Sequence, residues 1–243
     1  MNTALQKLIN DRKRQLAELQ DLLRHHFKKP ELLLRALTHR SFSYDHSELP
    51  KNDNETLEFL GDAVLDLVVG FMLFSRYPAM AEGDLTKIRS ALVQEGGLAI
   101  TARELDLGKY ILLGKGEDNS GGRQKDSILS CAYEAVIGAV FVDAGYDAAR
   151  RVIAQHFKGR LEIGRQAVQV TDAKSRLQEL TQHELGYAPT YVLDKADGPD
   201  HDKTFTVSVI LQDNKIATAT AKSKKAAEQK AAALALDNLS GAG

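Results

Sequence analysis

The chain has 243 residues, 32 of them Lys or Arg and 33 Asp or Glu, for a formal net charge of −1, and at 43% hydrophobic it can bury a sizeable core as one large domain or two small ones. A single cysteine, Cys131, excludes an intrachain disulfide framework and a cysteine-rich zinc site. No apolar run approaches the roughly 18 residues of a bilayer span, and the start MNTALQKLINDRKRQL lacks the apolar stretch of a signal peptide. No membrane partner is therefore expected, and the cytoplasm is the default compartment. The balanced net charge does not advertise nucleic acid, so charge placement has to decide.

Residues 1 to about 165 read as helices throughout. Leucines near helical spacing run from Leu5 to Leu23, and Pro30 opens a second segment, PELLLRAL. A third extends from about Glu55 to Phe74, followed by segments near Gly83–Ala91, Gly96–Leu105, Ser127–Asp143 and Ala148–Ile163. Glycines with Asp or Asn punctuate them, notably Gly108, the loop from Gly114 to Gly122, and Gly145. Gly164 to Thr171 is a short polar connection, beyond which the pattern changes. Asp172 is placed to cap a helix over Ala173–Leu185, stopped by Gly186. APTYVLDK is a strand candidate, and Phe205, Val207, Val209 and Leu211 alternate with mostly polar partners at strand period. Asp213-Asn214 fits a two-residue hairpin turn leading into a third strand, Lys215–Ala221. An alanine-rich helix follows from Ser223, making the tail α-β-β-β-α.

The most informative segment is NETLEFLGDAVL. In a helix, Glu55, Glu58 and Asp62 fall at i, i+3 and i+7, within roughly 60° of arc. Carboxylates stacked on one stripe repel, and Leu57, Leu60, Val64 and Leu65 on the remaining arc demand burial. A cation would neutralise the stripe, and hard oxygen ligands favour magnesium or manganese. The bland alternative, a solvated acidic face, stays open on spacing alone. Two details count against it. Gly61 sits in mid-helix, at a cost of about 1 kcal/mol relative to alanine, which suggests that another backbone approaches closely. Glu134 stands in an otherwise apolar helix, Ile128 to Val142, where it must be paired, protonated or metal-bound.

In the tail, nine Lys/Arg face ten Asp/Glu from Asp172 to Gly243, so that region is not globally basic. Lys222, Lys224, Lys225 and Lys230 nevertheless cluster at and after the start of the last helix. Lysine there opposes the helix dipole, while free N–H groups and lysines together suit an anion such as phosphate. A solvated lysine run is the plain alternative. The adjacent His25-His26 do not share a helix face and read as surface residues.

NETLEFLGDAVL resembles the signature of the ribonuclease III family. Agreeing segments are ALTHRS (Ala36–Ser41), EGDLTKIRSALV (Glu82–Val93), LGKGEDNSGGRQKDSIL (Leu113–Leu129) and YEAVIGAVFVDAGY (Tyr133–Tyr146). KSKKAAEQKAA, SRLQELTQ and Gly198-Pro199-Asp200-His201 resemble parts of a double-stranded-RNA-binding domain. The resemblance implies a multidomain chain: an all-α endonuclease domain over 1–165 (core about 20–150), a linker at 166–171, and a small α+β binding domain over 172–243. It implies a homodimer that cleaves double-stranded RNA with Mg2+ (Mn2+ as a substitute) and no organic cofactor. The products would carry 5′-phosphate and 3′-hydroxyl ends with short 3′ overhangs, and the tasks would be processing of ribosomal precursor RNA and of some messenger and transfer RNA precursors.

Residue by residue, Glu58, Asp62 and Glu134 fall on three of the family's four metal-site acids, with Asp62 and Glu134 also expected to orient the nucleophile. Glu55 and Glu82 fall on supporting acidic positions, and Phe59 on the family's dimer-interface aromatic, where a core phenylalanine is the alternative. The fourth acid position holds Cys131, a departure that removes one formal negative charge and offers a soft donor. Either Cys131 lies beside the metal and leaves its place to water, or its backbone contributes, or the site is weakened; the first is expected because the other acids are intact. In the tail, Gln178, Glu179 and Gln182 would face one minor groove, His201 the next, and Lys222, Lys224 and Lys225 the phosphates between them. Glycines and basic residues around Gly114–Gly122 (Lys109, Lys115, Arg123 and Lys125) suit either a phosphate-approaching loop or a solvated turn. The competing reading is a duplex-RNA-binding protein with a degenerate nuclease domain, made plausible by Cys131; a phosphohydrolase of small nucleotides would leave the tail idle.

Overall fold

The structure, a computed structural model, describes residues 3–46, 53–163, 173–199 and 202–240. The chain divides into two compact units, Met1–Leu161 and Glu162–Gly243. The expected linker at 166–171, the Asp172 cap and His201 lie outside the described residues.

The first unit is helical: α1 (Thr3–Asp11), α2 (Lys13–Leu23), α3 (Pro30–Ala36), α4 (Arg40–Asp45), α5 (Glu55–Arg76), α6 (Glu82–Val93), α7 (Glu95–Glu104), α8 (Lys115–Asn119) and α9 (Asp126–His156). The leucine stripe from Leu5 to Leu23 spans two helices rather than one, because the backbone leaves helical geometry at Arg12 (φ −104, ψ 6) with no Gly or Pro to announce it. Leu16, Leu19 and Leu23 still share the buried face of α2.

The core is the packing of α5 on α9. Helix α5 buries Leu57, Gly61, Val64, Leu65, Val68, Val69 and Leu73. Helix α9 buries nearly every residue from Ile128 to Val140, each large aliphatic side chain contributing about 1.5–3 kcal/mol. One expectation is corrected here: α9 does contain an 18-residue window apolar enough to cross a membrane, with mean hydropathy 1.6. Its residues are instead mostly buried within the unit, 61% of that window, and Gly145 breaks the helix at φ 77, ψ −172. The second segment, read as running to Ile163, ends at His156, and residues 160–163 are helical again after a turn.

The second unit comprises α10 (Ala173–Leu185), β1 (Thr190–Asp197), β2 (Thr204–Leu211), β3 (Asn214–Ala221) and α11 (Lys224–Ser240). The strands form an antiparallel sheet in the order β1-β2-β3. Val207, Val209 and Leu211 are buried, as the alternation predicts, but Phe205 is only half-buried and Ser208 is buried as well, its hydroxyl bonded to Asp194 and Thr218. Ala173, Leu177, Val209, Ala217, Ala231, Ala232 and Ala235 make the core. The hairpin turn lies one residue earlier than the Asp213-Asn214 reading. Leu211 pairs with Asn214, and the turn is carried by Gln212 (φ 45) and Asp213 (φ 66), two left-handed residues that match the twist of the strands. Ser223 caps α11 by accepting a hydrogen bond from the amide of Ala226 at 3.2 Å.

Candidate active site

The site begins with two glycines. A β-carbon on Gly61 would overlap the carbonyl oxygen of Glu134 and lie 3.0 Å from the amide nitrogen of Gly138; one on Gly138 would overlap the Leu57 carbonyl and lie 3.2 Å from the Gly61 nitrogen. The crossing of α5 and α9 is therefore backbone against backbone, as mid-helix Gly61 suggests. It sets Glu58, three residues before Gly61, beside Glu134, four before Gly138. One carboxylate oxygen of each and Sγ of Cys131 all lie within 4.8 Å of one another. Cys131 and Glu134 share a face of α9 by their i, i+3 spacing.

Burial, reinforced by the charges of Glu58 and Asp62, pushes the Glu134 carboxyl up to about 8. Burial pushes the Cys131 thiol up to about 12, helped by its hydrogen bond to Glu58 and the charges of Glu58 and Glu134. Crowded, half-buried carboxylates are what a divalent cation would relieve, and the donor set fits one: Glu58 and Glu134 would hold it, with Asp62 close by.

Of the expected site residues, Glu58, Cys131 and Glu134 are brought together. Asp62 is exposed and outside the three-residue group, although its charge reaches Glu134. Glu55 is exposed and paired with Arg40 at 3.5 Å, and Glu82 at the start of α6 accepts a hydrogen bond from Thr86 Oγ1 at 2.9 Å. Neither joins the group.

A cavity of about 420 Å³ opens beside the acids, lined by His39, Arg40, Asn54, Glu55, Glu58 and Cys131 among others. His39 and Arg40 were given no role by the sequence; their only signal was membership of ALTHRS. The His39 imidazole caps α4 by accepting from the Ser41 amide at 3.3 Å, and Ser41 Oγ in turn accepts from the Gly114 amide at 2.9 Å. Burial holds the His39 imidazole below its ordinary range.

Three of the four basic residues around the glycine loop are engaged within the protein, while Lys115 is exposed and bonds Asp45 through its main-chain amide. Arg123 makes two hydrogen bonds to Asp118, at 2.7 and 2.9 Å, and donates to the carbonyls of Gly108 and Ile111. Lys125 pairs with Glu117 at 2.6 Å and Lys109 with Glu18 at 3.4 Å. Arg123 thus staples the loop. His25 is also not a surface residue: its ring is nearly buried and meets Asp143 at 3.1 Å, across 118 positions of sequence. His26 is exposed.

Phe59 is 81% exposed, so it is no core phenylalanine of this chain. Leu67, Phe71 and Phe74 are exposed on the same helix, within roughly 120° of arc.

In the second unit Gln178, Glu179 and Gln182 are exposed on one face of α10, opposite buried Leu177 and Thr181. Lys224 and Lys225 are exposed in the first turn of α11, and Lys222 just before it pairs with Asp202.

A helical unit presenting crossed-helix carboxylates, followed by an α-β-β-β-α unit with lysines at a helix start, defines a nuclease joined to an RNA-binding module. Residues 29–161 match the ribonuclease-III-like family model and residues 173–239 the double-stranded RNA binding motif. The chain is 48% identical over 239 residues to ribonuclease 3 of Desulfotalea psychrophila, covering 98% of this chain and 99% of that one. It is 43% identical to ribonuclease 3 of Campylobacter jejuni, covering 92% and 97%. The crystal structure of the Campylobacter jejuni ribonuclease III nuclease domain superposes with a TM-score of 0.53 at 48% identity, over 58% of this chain and 95% of that one. The chain belongs to the ribonuclease III family and is an endoribonuclease carrying a double-stranded-RNA-binding domain.

Proposed function

We propose that this protein is a cytoplasmic, Mg2+-dependent endonuclease of double-stranded RNA, with Mn2+ as a substitute ion. Its products carry 5′-phosphates, 3′-hydroxyls and short 3′ overhangs, and its substrates are ribosomal precursors and some messenger and transfer RNA precursors. The observation that carries this reading is the convergence of Glu58 and Glu134, from two helices, on one point beside a cavity. A bound dication would lower the pKa of water and stabilise the leaving oxygen. Glu58, Asp62 and Glu134 would hold it, and Asp62 and Glu134 orient the attacking water in line with the phosphorus. Glu55 and Glu82 support the acidic field from farther out.

Staggered cuts need two sites, and the exposed face of α5 around Phe59 suits a second copy of the chain. A further structure of the Campylobacter jejuni nuclease domain is described in terms of a region involved in dimer formation, at 48% identity and TM-score 0.53. Gln178, Glu179 and Gln182 would read one minor groove, His201 the next, and Lys222, Lys224 and Lys225 the phosphates. The specific observation favouring a second reading, a duplex binder of weakened activity, is Cys131.

The test is incubation of the full chain with a long RNA duplex and Mg2+, with mapping of the product ends. Staggered 5′-phosphorylated fragments are expected; binding without cleavage would favour the second reading. A chain ending at Thr171 should bind weakly yet retain some cutting at low salt, because phosphate contacts are salt-sensitive.

A further inference from the structure

The three atoms that converge between α5 and α9 are two carboxylate oxygens and one sulfur. We infer that this centre also takes a thiophilic divalent cation, of the Co2+, Zn2+ or Cd2+ class, with Cys131 Sγ as a direct ligand beside Glu58 and Glu134. The inference rests on the proposed reading of these acids as a dication centre.

Distance permits it. A zinc-type ion binds sulfur at about 2.3 Å and carboxylate oxygen at about 2.0–2.2 Å. In a tetrahedral site those bond lengths set the donors about 3.4–3.6 Å apart, so the three atoms, which lie within 4.8 Å of one another, need only small side-chain rotations to close on one ion. Access permits it as well, since Glu58 and Cys131 both line the cavity of about 420 Å³. Chemistry then separates the ions. Mg2+ requires oxygen donors in near-octahedral array and gains little from sulfur, whereas borderline and soft ions bind thiolate strongly. As the sulfur–metal bond forms, the S–H bond breaks and its proton passes to solvent, with no change of oxidation state. The resulting thiolate restores one negative charge at a position where the family carries an acid. Mg2+ would leave the thiol uncoordinated. A cysteine here thus makes one centre answer differently to two classes of ion.

Cys131 is the only cysteine, so a thiolate-to-metal charge-transfer band in the near ultraviolet reports this residue alone. The full chain, stripped with chelator, is titrated with Cd2+ and with Co2+, and Mg2+-supported duplex cleavage is assayed on the same samples. The band is expected to saturate at one ion per chain, to vanish in Cys131→Ser and Cys131→Ala, and to require about 10–100-fold more metal in Glu58→Gln and Glu134→Gln. No band, or a band indifferent to both glutamate variants, overturns the inference. Cleavage without the band overturns it while leaving the proposed function standing; the band without cleavage under any ion does the reverse.

Discussion

Gly61 and Gly138 face each other where α5 crosses α9, and a β-carbon on either would fall within 3.2 Å of the other's amide nitrogen while overlapping a carbonyl of the opposite helix. The acids are positioned from this contact, so spreading the helices should separate Glu58 from Glu134. Gly61→Ala is expected to destabilise the protein by about 1–3 kcal/mol, the usual cost of overpacking, and to reduce cleavage far more than duplex binding. Thermal unfolding with parallel cleavage and binding assays checks this; unchanged cleavage would show that the crossing is slack.

Cys131→Asp supplies a fourth carboxylate beside Glu58, Asp62 and Glu134. It is expected to retain cleavage and to reach half-maximal rate at lower Mg2+, measured by titrating the ion at fixed duplex. Complete loss of activity would show that the thiol has a role of its own.

Tyr133 and His156 share a hydrogen bond at 3.0 Å, and burial holds the imidazole down to about 4. The folded state thus keeps His156 neutral where the unfolded chain, near 6.5, takes up a proton. The associated stability is complete above pH 6.5 and is lost as pH falls toward 4, at most about 3 kcal/mol. Denaturant titrations across this window should show a slope that His156→Gln flattens.

Lys224 and Lys225 stand exposed in the first turn of α11. Changing both to alanine should weaken duplex binding across all sequences and reduce the salt dependence of log K by about 2. Filter binding over a range of salt measures this, and an unchanged slope would place the phosphates elsewhere.

The α-β-β-β-α order, the core strand period and the close approach at Gly61 were legible because each rests on local spacing. The acid stripe was legible too, but its partner Glu134 only as a lone charge among apolar residues. Contacts between distant positions are not legible in this way: nothing near His25 in sequence announces Asp143. The break at Arg12 carries no glycine, proline or asparagine to announce it, and the hairpin turn is legible only to within one residue, because Asp213 and Asn214 both suit left-handed backbone while Gln212 does not advertise it. Helix α9 exceeded the apolar length expected of any segment because it is the core helix of its unit. The roles of Glu82 and Phe59 rest on family resemblance alone, whereas Glu55 also stands in the acid stripe. Geometry leaves the two acids outside the tight group and turns Phe59 outward.

The most direct measurement compares native chain with Glu134→Gln on a long RNA duplex in Mg2+, scoring cleavage and binding separately. Carboxylates from two helices acting on one dication predict that the variant binds duplex normally and cuts it negligibly. Cleavage by the variant at the native rate would contradict that account.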